Sequence, residues 1–382
     1  MTNKEHIQSH KLEPEHSDTS VVNAKKSLNI QDSVTPKRRH RRKKRSSKST
    51  ELNTRNPRIP PPNVHGILLI DKGYDQTSFD VIRALRRQVV IKKAGHTGTL
   101  DPMATGLLVV CIGEGTKLVQ YLTADDKTYT GEVTFGVATD TYDAMGKHVQ
   151  KSPLHLINEL TEDRVRNALE SFKGEIEQTP PAYSAIKVNG ERLYERARRG
   201  EVVDVPKRHV VIHKLELVNF TPAYQDSECF HYPKASLNIH CSKGTYIRSL
   251  AVDVGSILGL HAHLSSLRRM KCGMFNVRDA VPVESIVPDT LKDMMTSLPE
   301  ALRSWPTIYV TDQQRDTLRY GQEVDLSTLS RESITDDLFD VQLTRCAIHA
   351  SSGIPVALVQ STSERTLKVI RGFSPKLSVD SS

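Results

Sequence analysis

Among the side chains of this 382-residue chain, Asp101 is the best placed to do chemistry. It lies in the stretch Gly95-His96-Thr97-Gly98-Thr99-Leu100-Asp101-Pro102-Met103-Ala104-Thr105-Gly106. Three glycines let a ligand approach the backbone, and the following proline restricts the conformation of the aspartate. Leu107 and Leu108 then lead into a core strand, so the carboxylate sits on a rigid margin. A carboxylate held in this way is equipped to act as a nucleophile. An Asp-Pro pair is also an ordinary turn former, and the spacing by itself leaves both readings open.

Little else competes for a chemical role. Gly113-Glu114-Gly115-Thr116-Lys117 has glycines and a lysine but neither Walker nor dinucleotide spacing. There is no His-Glu-x-x-His, no evident metal-ligand cluster, and no Gly-x-Ser-x-Gly elbow to support a serine hydrolase. The five cysteines, Cys111, Cys229, Cys241, Cys272 and Cys346, are scattered without a Cys-x-x-Cys pair. They read as small buried hydrophobes in a reducing compartment, and no metal is expected.

The elements around Asp101 follow from periodicity. Ile67 to Ile70 is a short apolar run bounded by Gly66 and Asp71, the pattern of a buried strand. Thr77 or Ser78 caps a helix with Val81, Ile82, Leu85 and Val89 on one face. A Gly/Thr-rich loop runs from Gly95 to Gly106, then a strand from Leu107 to Ile112 and a short helix from Thr116 to Leu122. Thr128 to Phe135 alternates, turning Tyr129, Val133 and Phe135 to one side. Glu162 and Asp163 open a helix with Val165, Leu169 and Phe172 inward. Strands at Val210–Phe220 and Ala235–Cys241 and a turn at Lys243-Gly244 precede a helix carrying Ile247, Leu250, Ala251 and Val254. Without a regular βαβ period, this mixture predicts an α+β fold with a mixed or antiparallel sheet. From Trp305 onward, short strand patterns predict a small β-rich C-terminal domain.

Hydrophobic residues make up 37% of the chain and charged residues 26%, enough for a globular core with a polar-rich segment beside it. The net charge of +8 points to a polyanionic partner, but its location matters more. Residues 1–62 hold 15 Lys and Arg against 6 Asp and Glu, leaving 38 against 39 in the body. The basic block Lys37 to Arg45 repels itself and reads as a solvated tail with weak phosphate affinity, or as a nuclear address. The early acidic residues Glu5, Glu13, Glu15 and Asp18 argue against a mitochondrial presequence. No apolar run suits a secretion signal or a membrane span, so a cytoplasmic location is expected, or a nuclear one if the tail is an address.

Several blocks in order carry a family resemblance. The Asp101 stretch resembles the signature of the TruB family of tRNA pseudouridine synthases, where the aspartate is the nucleophile. His65-Gly66-Ile67-Leu68-Leu69-Ile70-Asp71-Lys72 is similar to its opening strand, although Gly73 stands where proline is usual. Asp126-Lys127-Thr128-Tyr129 matches the segment of the active-site tyrosine, and Thr139-Asp140-Thr141 the acidic motif after it. Pro180-Pro181-Ala182-Tyr183-Ser184-Ala185 through Arg208 resembles an RNA-gripping insertion. Cys241-Ser242-Lys243-Gly244-Thr245-Tyr246-Ile247-Arg248 and Leu267-Arg268-Arg269 complete the set, so the resemblance covers about His65 to Val277.

It implies isomerisation of uridine to pseudouridine in the TΨC loop of tRNA (position 55), on a flipped-out base and without a cofactor. Asp101 is the implied nucleophile, Arg248 its partner, and Tyr129 the stacking residue and a base at the ribose. His96, Tyr246, Leu267 and Lys72 are expected to line or support the substrate site, Lys72 either holding the Asp101 loop or touching phosphate. Arg192, Arg196 and Arg199, at i, i+4 and i+7, predict a helix face that follows the RNA backbone. The expected organisation is a tail over 1–62, a catalytic domain over 63–300 with an insertion at about 179–208, a PUA-like RNA-binding domain over 301–376, and a tail over 377–382. A monomer acting on the T-arm, with no membrane association, is expected. The rivals are a noncatalytic tRNA-binding chaperone on the same fold, and the same chemistry on rRNA or mRNA.

Overall fold

The apolar run Ile67–Ile70 falls in the strand Gly66–Lys72, whose next neighbour in space is the equally buried strand Thr105–Ile112. In this computed structural model the described residues are 64–184, 186–188, 190–201, 205–333 and 337–374. They all belong to the second of two compact units, Ile59–Ser382. The expected tails at 1–62 and 377–382 lie outside the described residues.

Ten strands form the main sheet. The order across it is Met295–Thr296, Gly66–Lys72, Thr105–Ile112, Ala262–Cys272, Lys127–Phe135, Lys234–Cys241, Arg208–Thr221 and Gly174–Gln178, with Ala94–His96 and Phe275–Asn276 attached at the sides. Neighbours are antiparallel except at one place, where Arg268 and Arg269 run parallel to Thr105 and Gly106. The mixed sheet of an α+β fold is therefore what the chain forms. Tyr129, Val133 and Phe135 are all buried, as alternation over this strand requires.

The helix Ser78–Gln88 begins at Thr77, whose hydroxyl accepts from the Asp80 N–H while the Asp80 carboxylate accepts from the Thr77 N–H. Val81, Ile82 and Leu85 face the sheet. On the far side of the molecule's order, the helix Ile247–Ile257 starts at Tyr246 and buries Ile247, Leu250, Ala251 and Val254. Both helices present their N-terminal turns to the same loop, as described below.

The glycine-rich loop is shorter than expected. His96 already lies in the strand Ala94–His96, paired with Val110, and Gly106 lies in Thr105–Ile112. Gly106 has a φ of +95°, and a Cβ there would stand 2.4 Å from the Arg269 carbonyl oxygen. Only glycine permits that close parallel approach between the two strands.

A second sheet of five strands, in the order Thr307–Val310, Arg345–His349, Pro355–Ser361, Thr366–Gly372 and Val324–Asp325, forms the β-rich C-terminal region. Its Cys346, Leu358 and Phe373 join Ile67, Leu69, Leu107 and Val109 in one apolar cluster. Ser374 N–H also donates to Glu114 Oε2 at 2.7 Å. The second sheet is thus packed on the face of the main sheet opposite the larger cluster that contains Leu68, Ile70, Leu108 and Tyr129.

Candidate active site

Asp101 is fixed by the backbone on each side of it. Leu100 N–H donates to Ser78 Oγ at 2.8 Å, and Ala104 N–H donates to the Asp101 carbonyl at 3.0 Å. The Pro102 carbonyl accepts from Asp75 N–H at 2.9 Å and from Lys72 Nζ at 3.3 Å. Lys72 is 1% exposed and also donates to the carbonyls of Gly73 and Gln76, at 2.9 and 2.7 Å. Of the two roles expected for it, the geometry offers the support of the loop; a buried ammonium with three carbonyl partners does not face a phosphate. Burial pushes its pKa down to about 8, against the pull of Asp101.

The side chain of Asp101 meets the guanidinium of Arg248. Arg248 Nη2 donates to Oδ1 at 3.1 Å, while Nε lies 2.9 Å from Oδ2 as an ion-pair contact. The Arg248 side chain is 5% exposed and that of Asp101 34%, so the arginine is buried behind a carboxylate that is partly open to the surface. Burial pushes the Asp101 carboxyl up from its ordinary range; Arg248 opposes this, Asp143 reinforces it, and Lys72 opposes it more weakly.

Arg248 has further partners that hold its plane. Nη1 donates to the Thr141 carbonyl at 2.9 Å and Nη2 to the Tyr183 carbonyl at 3.0 Å. Nη1 also lies 3.7 Å from Oδ2 of Asp143. Asp143 is buried, and its Oδ1 accepts from Thr141 Oγ1 at 2.7 Å and Met145 N–H at 3.1 Å. One guanidinium therefore sits between two carboxylates. Asp140, in the expected acidic motif, closes a turn instead: its Oδ1 accepts from Lys147 N–H at 2.8 Å and its N–H donates to the Lys147 carbonyl at 3.1 Å.

Tyr129 and Leu267 lie on adjacent strands, opposite Arg269 and Gly131 respectively. Both side chains are buried among the main apolar cluster. Burial pushes the Tyr129 phenol up to about 12, partly offset by Arg269. At neutral pH it keeps its proton, which suits stacking and hydrogen bonding and makes it a costly base. Tyr246 is half-buried at the head of the Arg248 helix, and burial raises its phenol as well. His96 is half-buried with Nδ1 lacking a hydrogen-bond partner; burial, then Arg269, holds its imidazole below the usual range.

Sequence reasoning missed three supports. Arg269, 2% exposed, donates through Nε to the Leu107 carbonyl at 2.7 Å and through Nη2 to Gly98 at 3.1 Å, pinning the Asp101 loop to the sheet. Arg268 makes two bonds to Asp71, at 2.9 and 2.7 Å. Asp143 is the third. The Leu267-Arg268-Arg269 block carries the signal for the first two, since paired arginines within a strand demand partners.

The basic triplet is arranged differently from expectation. The helix is Leu193–Arg198, so it begins after Arg192 and ends before Arg199. Arg192 belongs to the short strand Glu191–Arg192, and its side chain lies outside the described residues. Arg196 pairs with Glu201 at 2.8 Å; Arg199 pairs with Glu191 at 2.6 Å and Glu201 at 2.7 Å. Only Arg196 of the three thus lies within the helix, and both it and Arg199 have acidic partners.

Known proteins share this framework. Residues 86–247 match the family model described as TruB family pseudouridylate synthase (N terminal domain). The tRNA pseudouridine synthase B of Shouchella clausii is 42% identical over 265 residues, which span 69% of this chain and 85% of that protein. The chain belongs to the TruB family. A TruB relative from Clostridium kluyveri, also named tRNA pseudouridine synthase B, is 37% identical over 278 residues, 73% of this chain and 91% of its own. Two solved structures share the fold: a Cbf5-Nop10-Gar1 complex, at TM-score 0.58 and 21% identity, and an H/ACA RNP bound to a substrate RNA containing 2'-deoxyuridine, at 0.57 and 20%. Each similarity covers 81% of this chain and 85% of the other. In this TruB chain, then, a partly exposed carboxylate is backed by a buried cation, and its loop is tied by hydrogen bonds at Leu100, Asp101 and Pro102.

Proposed function

We propose that the chain isomerises uridine to pseudouridine in the T-loop of tRNA, at position 55, with Asp101 as nucleophile on a flipped-out uridine. The observation that carries this is the Asp101–Arg248 pair, whose carboxylate is partly open to the surface while its guanidinium is buried. Arg248 favours the ionised carboxylate, the form a nucleophile needs. The reaction breaks the bond between N1 of uracil and C1′ of ribose, turns the base, and joins C5 to C1′; C5 then loses its proton to solvent or a nearby base and N1 takes one up, so the product is an isomer of the uridine. A detached base must stay in place, so the site must exclude water. Tyr129, Tyr246, Leu267 and His96 supply apolar and aromatic surface for the base, which pays a few kcal/mol to leave its stack.

The five-stranded C-terminal sheet serves as a PUA-like module for the rest of the tRNA. Tyr320, after the helix Asp312–Arg319, is 84% exposed, and an aromatic ring so exposed is suited to stacking on a nucleotide. No helix among the described residues is long and apolar enough to cross a membrane.

The test is to incubate wild type and Asp101→Asn with a T-arm minihelix and map carbodiimide-dependent stops by primer extension. A stop at the T-loop uridine with wild type alone is the expected result. Tight binding with no stop from either protein would favour a tRNA-folding chaperone. Stops only on rRNA or mRNA fragments would retain the chemistry and move its target.

A further inference from the structure

Four of the five cysteines are buried, as their scatter suggested, but Cys229 is exposed. It lies in the hairpin whose strands are Tyr224–Gln225 and Phe230–His231. We propose that this hairpin binds a divalent zinc-class ion through Asp226, Cys229 and His231. Their ligand atoms lie within 4.8 Å of one another. The sequence shows no evident metal-ligand cluster because the three residue types are common singly, and the hairpin fold brings them to one point.

The geometry is close to what the ion needs. Zinc bonds of roughly 2.3 Å to sulfur and about 2.0–2.1 Å to nitrogen or oxygen set tetrahedral ligand separations of about 3.3–3.7 Å. Cys229 Sγ is 3.4 Å from His231 Nε2. Asp226 Oδ2 is 2.6 Å from the same nitrogen and needs only to part by a fraction of an ångström. A fourth position is left for water.

The ligands are also held in orientation. Asp226 Oδ1 accepts from Glu228 N–H and Cys229 N–H, both at 2.8 Å, which leaves Oδ2 for the ion. The His231 ring stacks on Tyr224, with centroids 4.2 Å apart and planes 11° apart. Such stacking fixes the ring plane as an outer-shell contact does in metal sites. A metal ion competes with protons for thiol and imidazole ligands, so affinity must rise with pH.

The hairpin lies near Lys234, which pairs with Thr134, whereas Tyr129 sits toward the other end of that strand pair. The site is therefore separate from the Asp101 site and should leave pseudouridine formation unchanged.

The experiment uses the full chain, freed of metal by a chelator. Because His6, His10, His16 and His40 also offer imidazoles, the readout must be the thiol itself. Cobalt(II) should produce a thiolate charge-transfer band that zinc abolishes and that Cys229→Ala lacks. With a thiol reagent, one cysteine of the native protein should react fast and be protected by one equivalent of zinc. Asp226→Asn and His231→Ala should keep the fast thiol and lose the protection, with RNA modification as in wild type. Absence of the cobalt band in wild type, or zinc protection that persists in both variants, overturns the proposal.

Discussion

The amide of Gln178 binds both backbone groups of Tyr246: Oε1 accepts from its N–H at 2.7 Å, and Nε2 donates to its carbonyl at 3.0 Å. Gln178 is 2% exposed and ends the edge strand Gly174–Gln178. The next residue, Thr179, accepts from Ser249 Oγ at 2.7 Å, and Tyr183 accepts from Arg248. One short segment thus sets the start of the helix that delivers Arg248 to Asp101.

Gln178→Leu should leave the Tyr246 N–H unpaired and take one of two donors from its carbonyl, which keeps the Leu250 N–H at 3.1 Å, at about 1–3 kcal/mol of stability. If the clamp positions Arg248, single-turnover modification should slow by about tenfold to a hundredfold, since small displacements of reacting groups weigh that much. Affinity for the minihelix should change little, because the base contacts remain. Gln178→Glu keeps one acceptor and should fall between. Equal rates in all three proteins, with only stability altered, would reduce Gln178 to a scaffold residue.

Asp143 places a second negative charge against Arg248, 3.7 Å from Nη1. It raises the pKa of Asp101, so Asp143→Asn should lower it. A nucleophile must be ionised, so the acid limb of the rate–pH profile should move to lower pH in the variant. The plateau rate should nonetheless fall, by roughly tenfold or more, because Arg248 loses an anchor. The profile of single-turnover rate against pH separates the two effects. An acid limb that stays put, or moves up, would show that Asp143 does not act on Asp101 through charge.

How far these sites were legible from sequence depends on the range of the forces involved. The apolar run Ile67 to Ile70 reveals the strand that spans Gly66–Lys72, and a cap at Thr77 or Ser78 the helix after it, because apolar runs and capping are local. Neither could reveal that Arg269 reaches back to Gly98 and Leu107, a contact between segments more than 160 positions apart. The pairing of Asp101 with Arg248 entered only through the family resemblance; composition and spacing left Asp101 an open choice between nucleophile and turn former. Asp143 escaped notice because the acidic motif drew attention to Asp140, while the chain turns at Tyr142, with φ of +65°, before presenting the later carboxylate to Arg248. The basic triplet misled for the converse reason. Helical spacing carries no sign of Glu191 and Glu201, whose carboxylates pair with Arg196 and Arg199.

Asp253 offers a test of stability separate from catalysis. It lies on the Arg248 helix, and burial alone pushes its carboxyl up to about 6 from an ordinary 3.8. The folded state therefore holds this proton more tightly than the unfolded chain. The associated stability is complete below the unfolded value and is lost as pH rises through about 6. Asp253→Asn stays neutral throughout, so its advantage over wild type should grow between about pH 4 and pH 6 and then level off. At pH 8 the gain should be on the order of 1–3 kcal/mol, allowing for partial exposure. Urea unfolding at pH 4, 6 and 8 measures it. An advantage that is the same at all three values would mean that the amide stabilises by packing or hydrogen bonding, and that Asp253 is ionised in the folded protein with an ordinary affinity for its proton.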